Sequence, residues 1–117
     1  MRLTLFDLDG TLLPIDSDHA FGEFMVRLGW ADAQTHRARN DAFFADYQAG
    51  RLDMAEYIAF ATAAWRGRSA ADQAGASQRF MAEVIQPVLH ESARALVERH
   101  RAAGDRLAVV TATNDFV

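Results

Sequence analysis

The sequence predicts an α/β protein in which two strands of a parallel sheet are separated by a block of helices. Three observations carry this. A short apolar run, Leu3–Phe6, ends in a polar, glycine-containing turn, as a buried parallel strand does. A second such run, Leu107–Val110, lies near the other end of the chain and stops at Thr111-Ala112-Thr113-Asn114. Between the two the apolar period is helical, and parallel neighbours require a crossover of that kind.

Each element has its own signals. After Leu3–Phe6, Pro14 keeps the next residues out of helix. From Ser17 a helix places Ala20, Phe21, Phe24, Met25 and Leu28 on one face, and Gly29 stops it. A second runs from about Asp32 to Ala49 and ends at Gly50. A third opens on Asp53-Met54-Ala55-Glu56, a capping-box pattern, with Met54, Tyr57, Ile58, Ala61 and Trp65 as its apolar stripe. Ser69 caps a fourth, whose stripe includes Phe80, Val84 and Ile85 and which Pro87 ends. A fifth runs from Glu91 to Ala103, with Leu96 and Val97 inward and Gly104 as its stop. The expected division is a core of residues 1–15 and 91–117 and a helical insert of residues 16–90. Of the eight phenylalanines, Phe21, Phe24, Phe43, Phe44, Phe60 and Phe80 fall in that insert with Trp30 and Trp65, so it is expected to have a core of its own.

Composition narrows the function. The 117 residues include no cysteine, which excludes a disulfide scaffold, a thiolate metal site and a cysteine nucleophile. A net charge of −4 argues against a nucleic-acid partner, which calls for a basic face. An acid at the seventh residue interrupts any signal-peptide core, and no run approaches the ~18 apolar residues of a membrane span. A cytoplasmic protein without a membrane partner is the expectation. All twelve basic residues are arginine, and lysine is absent.

The chemistry concentrates at the strand ends. In open α/β sheets the reactive groups lie just beyond the carboxyl ends of the strands. Asp7 is the first polar residue after the first strand and Thr111 the first after the second. A carboxylate such as Asp7 can attack a phosphoryl group and form an aspartyl-phosphate. Asp9 shares its side of the chain if the backbone stays extended, and can protonate a leaving alcohol and then deprotonate water. Gly10 lets the backbone approach a phosphate that a Cβ would obstruct. The Thr111 hydroxyl can hydrogen-bond a phosphoryl oxygen. An anion attacking an anionic phosphate needs a cation, and Mg²⁺ with oxygen ligands suits that task. A plain surface turn competes with this reading, but the preceding strand disfavours it. An EF-hand loop requires Glu at its twelfth position, where this chain has Asp18, and Leu12, Leu13 and Ile15 fill the loop.

These residues resemble the haloacid dehalogenase superfamily. Leu5-Phe6-Asp7-Leu8-Asp9-Gly10-Thr11-Leu12 is similar to its first motif, and Val109-Val110-Thr111 to its second. The helical insert resembles the cap of the subgroup that includes phosphoserine phosphatase and histidinol-phosphate phosphatases. The resemblance implies a Rossmann-like core, incomplete here, with an inserted all-helical cap. It implies Asp7 as nucleophile and magnesium ligand. It implies Asp9 as general acid/base and as a second ligand through its main-chain carbonyl. Thr111, Leu8 and Gly10 would hold the phosphoryl group of a small phosphorylated metabolite. Asp16 stands where relatives read a substrate amine, and His19 near the mouth of the site is a second candidate substrate contact. Ala61 stands where an arginine reads a substrate carboxylate, which favours an amine-bearing substrate without one, such as histidinol phosphate.

The family also uses a lysine, occasionally arginine, and an acidic cluster that normally follow the second motif. The chain is therefore expected to be a front fragment that binds Mg²⁺ poorly and hydrolyses little alone. The alternatives are a phosphotransferase or mutase of the same chemistry, or a non-catalytic binding fragment. Oligomeric state is not legible.

Overall fold

The computed structural model describes residues 1–113; the end of the expected core segment, residues 114–117, lies outside the described residues. In chain order the elements are β1 (Leu3–Phe6), α1 (Ser17–Arg27), α2 (Ala33–Gln48), α3 (Met54–Arg66), α4 (Ala70–Phe80), a π-helical segment (Met81–Ile85), α5 (Gln86–Val88), α6 (Glu91–Ala102) and β2 (Arg106–Val109). Two compact units result, Met1–Ser17 with the chain from Ser77 onward, and Asp18–Ala76. The second division falls inside α4 rather than at the expected 90/91, so the end of α4 and the segment after it group with the strands. No described helix is long and apolar enough to cross a membrane.

In the first unit β1 and β2 pair in parallel, with Leu3 opposite Arg106 and Phe6 opposite Val109. The β2 span begins and ends one residue earlier than the sequence suggests. The ladder bonds continue past it, because the Val110 amide still donates to the Phe6 carbonyl at 2.8 Å. Phe6, Leu12, Leu13, Phe80 and Ile85 are buried here, and the Phe6 ring meets His100 of α6 edge-on at 6.0 Å. Leu3 and Leu5, the alternate residues of β1, are exposed.

Pro87 does not end its helix as expected. It occupies the first turn of α5, where a missing amide costs least. The wider π turn of Met81–Ile85 precedes it, with the Gln86 amide donating to the Met81 carbonyl. Opening the turn there relieves the clash that a proline ring has with the carbonyl one α-turn back.

The second unit has an aromatic core. Phe21, Phe24, Met25 and Phe43 are buried. Phe21 packs edge-on to Trp65 at 5.3 Å, Trp65 lies against Trp30, and Phe43 meets Tyr57 and Phe60. The Arg68 guanidinium sits 4.5 Å over the Trp30 ring, in the range of a cation–π contact. Two caps form as the sequence predicts: the Asp53 carboxylate accepts from the Glu56 amide at 3.1 Å, and Ser69 Oγ from the Asp72 amide at 3.1 Å. Gly29, Gly50 and Gly104 take the left-handed conformation that ends a helix.

One expectation fails in this unit. The stripe of α3 is rotated: Met54 and Ile58 are exposed, while Tyr57, Phe60, Ala61, Thr62, Ala64 and Trp65 are half-buried. Phe60, left out of the expected stripe, turns the face toward the larger aromatic neighbours. His36 is 8% exposed and stacked on Phe60 at 4.9 Å.

Candidate active site

Asp7 follows β1 directly and Thr111 follows the Val110 that closes the ladder, so both leave from adjacent strand ends in the first unit. After Asp7 the chain turns. The Leu8 carbonyl accepts from the Thr11 amide at 3.1 Å and from the Leu13 amide at 3.0 Å. Gly10 is the third residue of the four-residue turn and has φ +74°, the conformation a type II turn requires there. A Cβ on Gly10 would meet no described atom within 4 Å, so the visible demand on this glycine is its backbone angle rather than crowding.

The turn separates the two carboxylates by partner. Thr11 Oγ1 donates to Asp7 Oδ2 at 3.0 Å, which fixes the exposed Asp7 side chain by one oxygen. Asp9 Oδ1 accepts from the backbone amide of Ser17 at 3.1 Å. Leu8 opens that turn and Asp9 is its second residue, and each carboxylate is set by its own hydrogen bond.

Ser17 was legible in the sequence only as the start of a helix. It is the first residue of α1, and the Asp9 carboxylate takes the helix-terminal amide. Its side chain is fully buried, and Ser17 Oγ lies 3.0 Å from Thr113 Oγ1. The Thr113 amide donates to Thr111 Oγ1 at 3.2 Å. A chain of hydrogen bonds therefore joins Asp9, Ser17, Thr113 and Thr111. Ser17 and Thr113 lie outside the motifs and Thr11 stands in the first motif without an assigned role, because a hydroxyl among turn residues carries no distinctive spacing.

Asp16 is exposed in the segment just before α1. His19 is exposed on α1 and belongs to the second unit. An open cleft of about 600 Å³ lies beside the Asp7 turn, between Thr11, Leu12 and Pro14 on one side and His90, Leu96 and Arg99 on the other. Neither Asp7 nor Asp9 lines it.

The donors suit magnesium in kind, since a carboxylate and a main-chain carbonyl are hard oxygen ligands. They fall short in number: among the described residues no group of three or more His, Cys, Asp or Glu gathers to hold a metal.

A strand-end aspartate followed by a glycine turn and a second acid, beside a threonine loop on the neighbouring parallel strand, defines a class of α/β hydrolase. The chain belongs to the haloacid dehalogenase-like hydrolase family, which matches residues 4–117. It is 39% identical over 116 residues to a histidinol-phosphatase of Neisseria meningitidis serogroup C (strain 8013), covering 99% of this chain and 52% of that protein. It is also similar to a crystal structure of a protein with unknown function from Bordetella pertussis Tohama I, with a TM-score of 0.89 and 43% identity. That match covers 99% of this chain and 52% of the other. The chain thus spans about half the length of the relatives it matches.

Proposed function

We propose that this chain is the front half of a cytoplasmic phosphatase acting on a small phosphorylated metabolite through an aspartyl-phosphate. The observation that carries the reading is the placement of Asp7 and Thr111 at the ends of paired parallel strands, in a chain of the haloacid dehalogenase-like hydrolase family.

Asp7 attacks phosphorus with a carboxylate oxygen while the bond from phosphorus to the substrate oxygen breaks. Asp9, protonated at that moment, gives its proton to the departing alkoxide. Asp9 then takes a proton from water, which attacks the phosphorus, frees inorganic phosphate and restores the Asp7 carboxylate. The Thr111 hydroxyl and the amides at Leu8 and Gly10 hold the phosphoryl oxygens. The Asp7 carboxylate and the Asp9 carbonyl would hold Mg²⁺, which supplies charge neutralisation when bound. The remaining acidic ligands and the phosphate-neutralising cation would come from the half of the enzyme that its relatives have and this chain does not match.

Asp16 reads a substrate amine in this proposal, with His19 as a second substrate contact. The 39% identity to a histidinol-phosphatase supports histidinol phosphate over phosphoserine. Inorganic phosphate release by the full-length enzyme from both compounds tests this. Preference for histidinol phosphate is expected, and near-equal turnover overturns the substrate assignment. Transfer of the phosphoryl group to another acceptor without phosphate release would identify a phosphotransferase instead.

A second reading, a non-catalytic binding fragment, is favoured by one observation: the described residues hold no complete metal cluster.

A further inference from the structure

We infer that Ser17 is a positioning residue that sets the acid/base loop against the phosphate-holding loop; the inference rests on the phosphatase reading and extends it to a residue outside the motifs. Ser17 touches neither substrate nor phosphate in that reading. It acts from both of its polar ends. Its amide fixes Asp9 Oδ1 at 3.1 Å, and its hydroxyl fixes Thr113 Oγ1 at 3.0 Å. Thr113 in turn fixes Thr111 by an amide-to-hydroxyl bond of 3.2 Å. All four residues lie in the first unit.

Burial makes the link specific. Ser17 is 0% exposed, so water does not compete for its hydroxyl, and a buried hydrogen bond lost from one side leaves its partner unsatisfied. Asp9 and Thr111 act on opposite sides of one phosphoryl transfer, the leaving oxygen and the phosphoryl oxygens, so their separation must be held within a fraction of an ångström. A helix cap alone would use only the Asp9 end. The hydroxyl bond to the second loop is the part that capping leaves unexplained.

The test measures kcat and KM for phosphate release by the full-length enzyme carrying Ser17→Ala, Ser17→Thr, Thr113→Val and the Ser17→Ala/Thr113→Val pair, with Asp7→Asn as control. Ser17→Ala and Thr113→Val should each lower kcat about tenfold at nearly unchanged KM, the loss expected for one buried hydrogen bond. Ser17→Thr, which keeps the hydroxyl, should restore most of kcat. The pair should be no worse than either single variant, because both remove the same bond. Should Ser17→Ala fail to fold, Thr113→Val and Ser17→Thr carry the same comparison. Losses that multiply in the pair, or Thr113→Val with full kcat, overturn the proposal. An inactive Asp7→Asn beside an unimpaired Ser17→Ala overturns it alone, whereas a fully active Asp7→Asn removes the phosphatase reading and this proposal together.

Discussion

His100 Nδ1 lies 2.8 Å from Asp105 Oδ2, where the last turn of α6 passes into β2. Thr4 of β1 donates to the same oxygen at 3.0 Å, so one carboxylate ties the helix, the start of β2 and the middle of β1. The Asp105 side chain is only 5% exposed. These bonds fix the strand pair at the end opposite the Asp7 and Thr111 loops, and the register they protect places those loops side by side.

The hydrogen bonds from His100, then Thr4, hold the Asp105 carboxyl below its ordinary value of 3.8. A carboxylate depressed in the folded state stabilises above its unfolded pKa, and that contribution is lost as pH falls through the folded value. Melting curves of the wild type and Asp105→Asn should therefore differ clearly at neutral pH. They should converge as pH drops below 3.8. Equal melting temperatures at neutral pH would contradict the role given to this carboxylate.

Gly22 of α1 faces the His36 ring so closely that a Cβ built there stands 2.6 Å from Nε2. Helix propensity favours alanine over glycine by about 1 kcal/mol, but overpacking a core costs about 1–3 kcal/mol. His36 has little room to yield, since it is buried and stacked on Phe60. Gly22→Ala should be net destabilising by about 1 kcal/mol in urea unfolding. In a His36→Ala background the same change should be neutral or stabilising.

Burial also lowers the His36 pKa from 6.5. A group that holds its proton less tightly when folded makes acid favour unfolding, so stability is lost as pH falls from the unfolded value toward the folded one. The wild type should lose stability as pH drops below 6.5, and His36→Gln should lose less over that interval.

As a separate piece, the described residues present a two-stranded sheet with no further strand among them at either edge and with Leu3, Leu5 and Val110 exposed. Parallel sheets are stable when both faces are covered. The chain alone should bind Mg²⁺ weakly and hydrolyse p-nitrophenyl phosphate little. Titration calorimetry and a phosphate-release assay check this, and robust magnesium-dependent turnover would contradict the half-site account.

Local signals carried much of this structure. β1 ends at Phe6 because the polar Asp7-Leu8-Asp9-Gly10 turn follows, and the Asp53 and Ser69 caps formed because each side chain satisfies an amide in its own turn. What escaped was non-local. The burial of His36 depends on Phe60, far along the chain, and Ser17 is defined by Asp9 and Thr113 together. The rotated α3 face reflects which aromatic side chains meet, and a stripe drawn on one helix does not contain that. The π segment before Pro87 is the helix's response to a proline that local rules place at a helix end.

The most direct test of the account is phosphate release from histidinol phosphate by the full-length enzyme and by its Asp7→Asn variant, which keeps the size of the side chain and removes the nucleophile. The account predicts a loss of about a thousandfold or more in kcat, with the variant still folded. An Asp7→Asn enzyme that retains activity within about tenfold of the wild type would contradict it.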